Sequence, residues 1–183
     1  MNRRAVIKHL VVVSAGATII PSCIQPEKAL FPLKKIALSS ADQELISVLT
    51  ETIIPRTANF PGANDLKLHE FLLTMVDDCA KPADQQTFLR GLRHFEEKFK
   101  KNSKSSFVSA GNNQRMEFLK EIERTQDSQD DIYKFYRMVK QYTLQGFTSS
   151  KQYLTDIKKF SLVPGSRFKG CVPIKGGAGN KKV

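Results

Sequence analysis

The stretch Pro82-Ala83-Asp84-Gln85-Gln86-Thr87-Phe88-Leu89-Arg90-Gly91-Leu92-Arg93-His94-Phe95-Glu96-Glu97-Lys98-Phe99-Lys100-Lys101 decides the fold. Phe88, Leu92, Phe95 and Phe99 recur at i, i+4, i+7 and i+11, an apolar stripe along one side of an α-helix, while the opposite side is strongly charged. Pro82 suits the first turn, where a missing N–H removes no helical bond. Gly91 counts slightly against this helical reading. Such a helix needs apolar faces to pack on, and its neighbours supply them. Upstream, Ser39-Ser40-Ala41-Asp42-Gln43 offers hydroxyl caps with Gln43 three residues after Ser40, a capping box that opens a helix through Leu45, Ile46, Leu49 and Ile53 and ends at Pro55. A loop over 56–64 carries an exposed Phe60, and a second helix runs from Asp65 to Ala80 with Leu68, Leu72, Met75, Val76 and Cys79 on one side.

Downstream, Asn102 to Asn113 is rich in Ser and Asn and reads as a loop. Met116, Leu119 and Ile122 make a fourth helix ending near Thr125. A fifth, Gln129 to Gln145, carries Ile132, Phe135, Tyr136, Val139 and Tyr142, and Gly146 is placed to terminate it. A short sixth helix, Ser149 to Ile157, follows the Thr148-Ser149-Ser150 cap cluster. With no strand-period segment, the expected fold is all-α: a single irregular helical domain of about five to six helices over residues 39–161. The segment 162–183 is an extended, irregular C-terminal arm, because Pro164-Gly165, Gly170, Pro173 and Gly176-Gly177-Ala178-Gly179 punctuate it without periodicity. An arm of this kind wraps its own domain or lies across a partner.

The chain has 183 residues, 40% hydrophobic and 26% charged, proportions of one ordinary globular domain that exclude collagen-like and wholly disordered classes. Three cysteines cannot staple a disulfide-rich mini-protein, and three histidines, one of them His9 near the N-terminus, cannot build an all-histidine metal cage. A net charge of +11 points to an anionic partner.

Compartment narrows that choice. Asn2-Arg3-Arg4-Ala5-Val6-Ile7-Lys8 precedes the apolar run Leu10 to Ile20, a charged segment followed by a hydrophobic one too short to span a bilayer. The Arg3-Arg4 pair resembles a twin-arginine export signal, with Sec export the alternative because Asn2 and Val6 depart from the usual pattern. Ile20-Pro21-Ser22-Cys23 looks like a lipobox, which would make residues 1–22 a lipoprotein signal peptide, Cys23 the lipidated N-terminus and residues 23–38 a tether interrupted by Pro26 and Pro32. The rival is a plain cleaved signal in which Cys23 is incidental. Removing 1–22 leaves 26 basic against 18 acidic residues, a net +8. A periplasmic chain anchored to a bacterial membrane meets no nucleic acid, so the charge of a basic helical body faces an acidic subunit or an anionic membrane surface.

The search for catalytic chemistry returns no Gly-x-Ser-x-Gly elbow, phosphate loop, His-Glu-x-x-His or Cys-x-x-Cys. The glycine run at 176–179 has no strand before it and no helix after it, so it does not cradle a phosphate. His69-Glu70 and His94 lack a visible cleft, and Asp77 and Asp78 point about 100° apart on a helix, which makes them solvated surface or partner contact. No catalytic, cofactor-binding or metal-ligating residue is assigned. Once Cys23 carries lipid, Cys79 and Cys171 can pair with each other, closing a loop of about 90 residues worth ~4 kcal/mol. Alternatively one bridges to another subunit, or both stay reduced.

Thr52-Ile53-Ile54-Pro55-Arg56-Thr57, Pro61-Gly62-Ala63, His69-Glu70-Phe71, Tyr142-Thr143-Leu144-Gln145-Gly146-Phe147-Thr148-Ser149 and Pro164-Gly165-Ser166-Arg167-Phe168-Lys169-Gly170-Cys171-Val172-Pro173, together with the leader, resemble the gluconate 2-dehydrogenase subunit 3 family over most of residues 40–175. The resemblance implies a small accessory subunit of a membrane-associated, FAD-dependent sugar or sugar-acid dehydrogenase. FAD and catalysis would belong to a large subunit of the glucose-methanol-choline class that passes electrons to a cytochrome c, and the small subunit would carry the twin-arginine signal for both through the translocase. On that basis Pro55, Arg56, Phe60, His69, Tyr142, Phe147, Pro164 and Phe168 are the candidate partner-interface residues. The alternative is a freestanding basic periplasmic lipoprotein that binds an anionic surface or ligand.

Overall fold

The computed structural model describes residues 31–125, 127 and 129–160. The elements are α1 (Ser40–Ile53), α2 (Leu68–Thr74, continued by a π-helical turn at Met75–Cys79), α3 (Pro82–Ser103), α4 (Asn112–Thr125) and α5 (Asp131–Ser149), followed by a second π-helical turn at Tyr153–Ile157. No strand occurs among the described residues, and the fold is all-α.

The Phe stripe of α3 is the centre of the core. Phe88, Phe95 and Phe99 are fully buried and meet Phe135 of α5, Phe118 of α4 and Phe107 of the α3–α4 loop at ring-centroid distances of 5.0–5.5 Å, edge-on or tilted. Those geometries set the positive ring edge against the negative ring face. Phe107 was hidden in a stretch that composition reads as loop. It is pinned by Glu96, which accepts its N–H at 3.3 Å, and by Arg115, which donates to its carbonyl at 2.8 Å and lies over its ring. Phe118, not Met116, leads the buried face of α4; Met116 is exposed.

Gly91 counts against a helix here, yet α3 runs through it for a packing reason. A Cβ there would collide with the Asp131 carbonyl and the Phe135 Cβ, so the bare backbone lets α3 and α5 cross closely. Arg90 reinforces the crossing with a 2.9 Å bond to Asp131, whose carboxyl it holds below its ordinary range. Gly146 does not terminate the fifth helix either. It lies inside α5 against Phe71 and Leu68, and the helix ends three residues later, where Ser150 turns to extended backbone. The expected short sixth helix is present at residues 151–157, after the break at Ser150, with its last five residues, Tyr153–Ile157, wound as a π-helix.

Two other boundaries shift. The cap of α1 is Ser39, whose hydroxyl accepts the Asp42 N–H while Asp42 accepts the Ser39 N–H, so the box is one residue earlier than expected. Helix α2 starts at Leu68 instead of Asp65, because Lys67 takes left-handed backbone at φ 53° and Asp65 is engaged with the preceding loop.

Residues 31–38, the described half of the expected tether, are not a free spacer. Gln43, released from capping, accepts the Phe31 N–H at 2.9 Å and donates to the Phe31 carbonyl at 3.1 Å. Asp77 accepts the backbone N–H groups of Lys34, Lys35 and Ile36 at 2.8–2.9 Å, and Ile36 enters the core. Asp77 is 3% exposed, which corrects its reading as solvated surface or partner contact; Asp78 does stay outside. Burial alone would raise the Asp77 carboxyl, but the three donors outweigh it and hold it below its ordinary value.

Candidate functional site

The loop between α1 and α2 is built around one carboxylate. Glu51 accepts the Arg56 N–H at 2.9 Å and the Asn64 N–H at 2.8 Å, and the Ala63 N–H returns to the Ile54 carbonyl at 2.9 Å. Gly62 sits directly over Glu51 and the Arg56 N–H, where a Cβ would have no room. Asp65 closes the ring by accepting the Gly62 N–H at 3.0 Å and pairing with the Arg56 guanidinium at 3.4 Å. Thr57 and Phe60 exchange backbone and hydroxyl bonds, which fixes the tip. A fourteen-residue connection so tied presents Pro55, Arg56 and Phe60 at defined positions rather than as a mobile loop.

Phe60 meets the ring of Phe147 at 5.3 Å, and Phe147 meets Tyr153 at 5.3 Å. The three rings are each half-buried, so they form an aromatic edge with one side outside the core. The contact of Gly146 with Phe71 and Leu68 draws α5 onto the first turn of α2 and seats this edge. Leu144 on α5 and Ile157 and Phe160 after it are exposed, at 43%, 51% and 56%.

His69 lies on that first turn of α2. Its Nδ1 is buried without a hydrogen-bond partner, and burial lowers its pKa, opposed by Glu70 and assisted by Lys67. The ring is therefore held toward its neutral form. Of the sequence candidates, the structure joins Phe60 to Phe147 directly and puts Pro55 and Arg56 on the same tied loop. Tyr142 instead packs half-buried against the core cluster. Arg3, Arg4, Cys23, Cys171, Pro164 and Phe168 lie outside the described residues. Cys79 is exposed at the end of the first π-helical turn, unpaired among the described residues. Sequence reasoning missed Glu51 and Asp77, since an acidic residue that gathers distant N–H groups has no local signature.

Among the described residues no group of three or more His, Cys, Asp or Glu could hold a metal, and no helix is long and apolar enough to cross a membrane. No curated protein and no solved structure matches the chain. The family model described as gluconate 2-dehydrogenase subunit 3 matches residues 40–165, from the first turn of α1 through the aromatic edge and past Phe160. With about two thirds of its length inside that match, the chain belongs to the gluconate 2-dehydrogenase subunit 3 family, as a subunit of a dehydrogenase complex.

Proposed function

We propose that this chain is the non-catalytic accessory subunit of a periplasmic, membrane-associated, FAD-dependent sugar or sugar-acid dehydrogenase. Its large partner, of the glucose-methanol-choline type, holds the FAD and the substrate and delivers electrons to a cytochrome c. The chain escorts that partner, already folded, through twin-arginine export on Arg3 and Arg4, and anchors it through lipid on Cys23. The observation that carries this reading is the family match over residues 40–165. The rigid loop around Glu51 and the Phe60–Phe147–Tyr153 edge fit the role, because an ordered, half-exposed aromatic cluster loses little entropy when a partner covers it. Pro55, Arg56, Phe60 and Phe147 are assigned to that contact, with Pro164 and Phe168 of the arm.

Affinity isolation of the full chain from its native membrane in mild detergent, followed by a visible spectrum and mass analysis, tests the proposal. Flavin absorption with a larger polypeptide is the expected result. A colourless lone chain overturns it and leaves the freestanding lipoprotein.

A further inference from the structure

We infer that the exposed side chains Lys151, Ile157, Lys158, Lys159 and Phe160, which lie beyond the aromatic edge assigned to the subunit contact, form a contact face for an anionic phospholipid surface. This deepens the membrane association proposed above and takes the compartment from it. The first observation is charge segregation. Residues 39–143 carry fifteen Lys and Arg against sixteen Asp and Glu, whereas residues 144–183 carry eight against one, Asp156. The helical body is thus balanced rather than basic, and the excess lies at the chain ends.

The second observation is the kind of cation. Seven of those eight are Lys and one is Arg. Protein interfaces deplete Lys and favour Arg, whose rigid fork reads a fixed carboxylate; flexible ammonium groups suit a fluid surface of phosphates that offers no fixed geometry. Lys151, Lys158 and Lys159 are exposed and form no ion pair among the described residues.

Third, the apolar groups stand beside them. The Lys158 N–H bonds the Tyr153 carbonyl at 3.0 Å and the Phe160 N–H returns to the Leu154 carbonyl at 2.8 Å, with Lys159 in left-handed backbone at φ 53°. That closure, braced by Tyr153 on Phe147, holds Ile157 and Phe160 outside the core within two residues of Lys158. Apolar groups flanked by lysines are what a headgroup–acyl boundary takes up: the rings enter and the ammonium groups stay at the phosphates. Five further cations and no carboxylate follow in residues 161–183.

The chain contains no Trp, so a single indole reports on this face even if the chain is anchored elsewhere. The purified full-length Phe160→Trp variant is mixed with vesicles of phosphatidylglycerol and phosphatidylcholine, or of phosphatidylcholine alone, some carrying brominated acyl chains. The expected result is a blue-shifted emission quenched by the brominated lipid in anionic vesicles only, reversed by high salt. Lys151→Glu, Lys158→Glu and Lys159→Glu together should weaken that response by at least about tenfold. Met116→Trp, on the balanced α4, stays in water, and Ile157→Trp should repeat the Phe160→Trp behaviour. An indole at 160 or 157 that ignores anionic vesicles overturns the inference. So does one that leaves water only when a flavoprotein subunit is added, which would give the face to a protein; co-isolated flavin with lipid-blind indoles would leave the accessory-subunit reading standing.

Discussion

Two aromatic regions of this molecule are made from the same residue type and behave oppositely. Around α3, Phe88, Phe95, Phe99, Phe107 and Phe135 are fully buried, and all but Phe88 meet at least two other rings. At the end of α5, Phe60, Phe147 and Tyr153 touch in a row, half-buried, and Leu144, Ile157 and Phe160 on the same stretch of chain are exposed. The first arrangement returns the free energy of ring burial to the fold. The second leaves part of it unrealised until something covers the edge, which is how a surface becomes a docking site instead of a core.

Substitutions can break that contrast or sharpen it. The largest expected effect is Phe95→Ala, which removes a ring with three aromatic partners and should cost about 3–5 kcal/mol in denaturant unfolding; a loss comparable to that of a surface change would dissolve the distinction. Next, Asp77→Ala strips three backbone N–H groups of their acceptor and should cost about 2–3 kcal/mol, accompanied by faster proteolysis in residues 31–38. Its pH signature has a definite sign. The folded carboxyl titrates below the ordinary carboxylate value, so its contribution is present above that ordinary value and lost as acid is added through the folded pKa. Asp77→Asn should flatten the stability profile there.

Phe147→Ala should cost only about 1–2 kcal/mol, because its ring is half-exposed with two aromatic neighbours. Its effect on recovery of the larger subunit should be far greater than that of Phe95→Ala at matched folded fraction. Equal effects would mean the edge is merely core. The smallest effect belongs to His69. Its folded pKa lies below that of a free imidazole, so the unfolded chain takes up more protons and stability declines as pH falls below the free value; His69→Gln should remove that slope.

Much of the fold was legible because it rests on local periodicity. The stripe at Phe88, Leu92, Phe95 and Phe99 and the run Ile132, Phe135, Tyr136 and Val139 can bury themselves only as helices, and every one of these residues is buried. Where reading failed, a distant group had taken the residue for another use. Gln43 looked like a capping side chain and instead grips Phe31; Asp77 looked solvated and instead collects the N–H groups of a segment forty residues earlier. Gly91 and Gly146 looked like a flaw and a terminator, yet each marks a place where one backbone approaches another element.

The candidate site was legible in part. The family signatures hold Pro55, Arg56 and Phe147, and the loop between two of them carries Phe60, but nothing in their spacing joins Phe60 to a ring 87 positions away. The sequence by itself determined the helices, the apolar faces they bury and the charge-balanced body with basic ends, since these depend on neighbours within a few turns and on simple counting. Only the tertiary structure decided which carboxylates became hubs, which glycines became crossing points and which aromatics were left with an open side. Those outcomes depend on desolvation and steric contact between segments far apart in the chain, and such contacts exist only once the helices have packed.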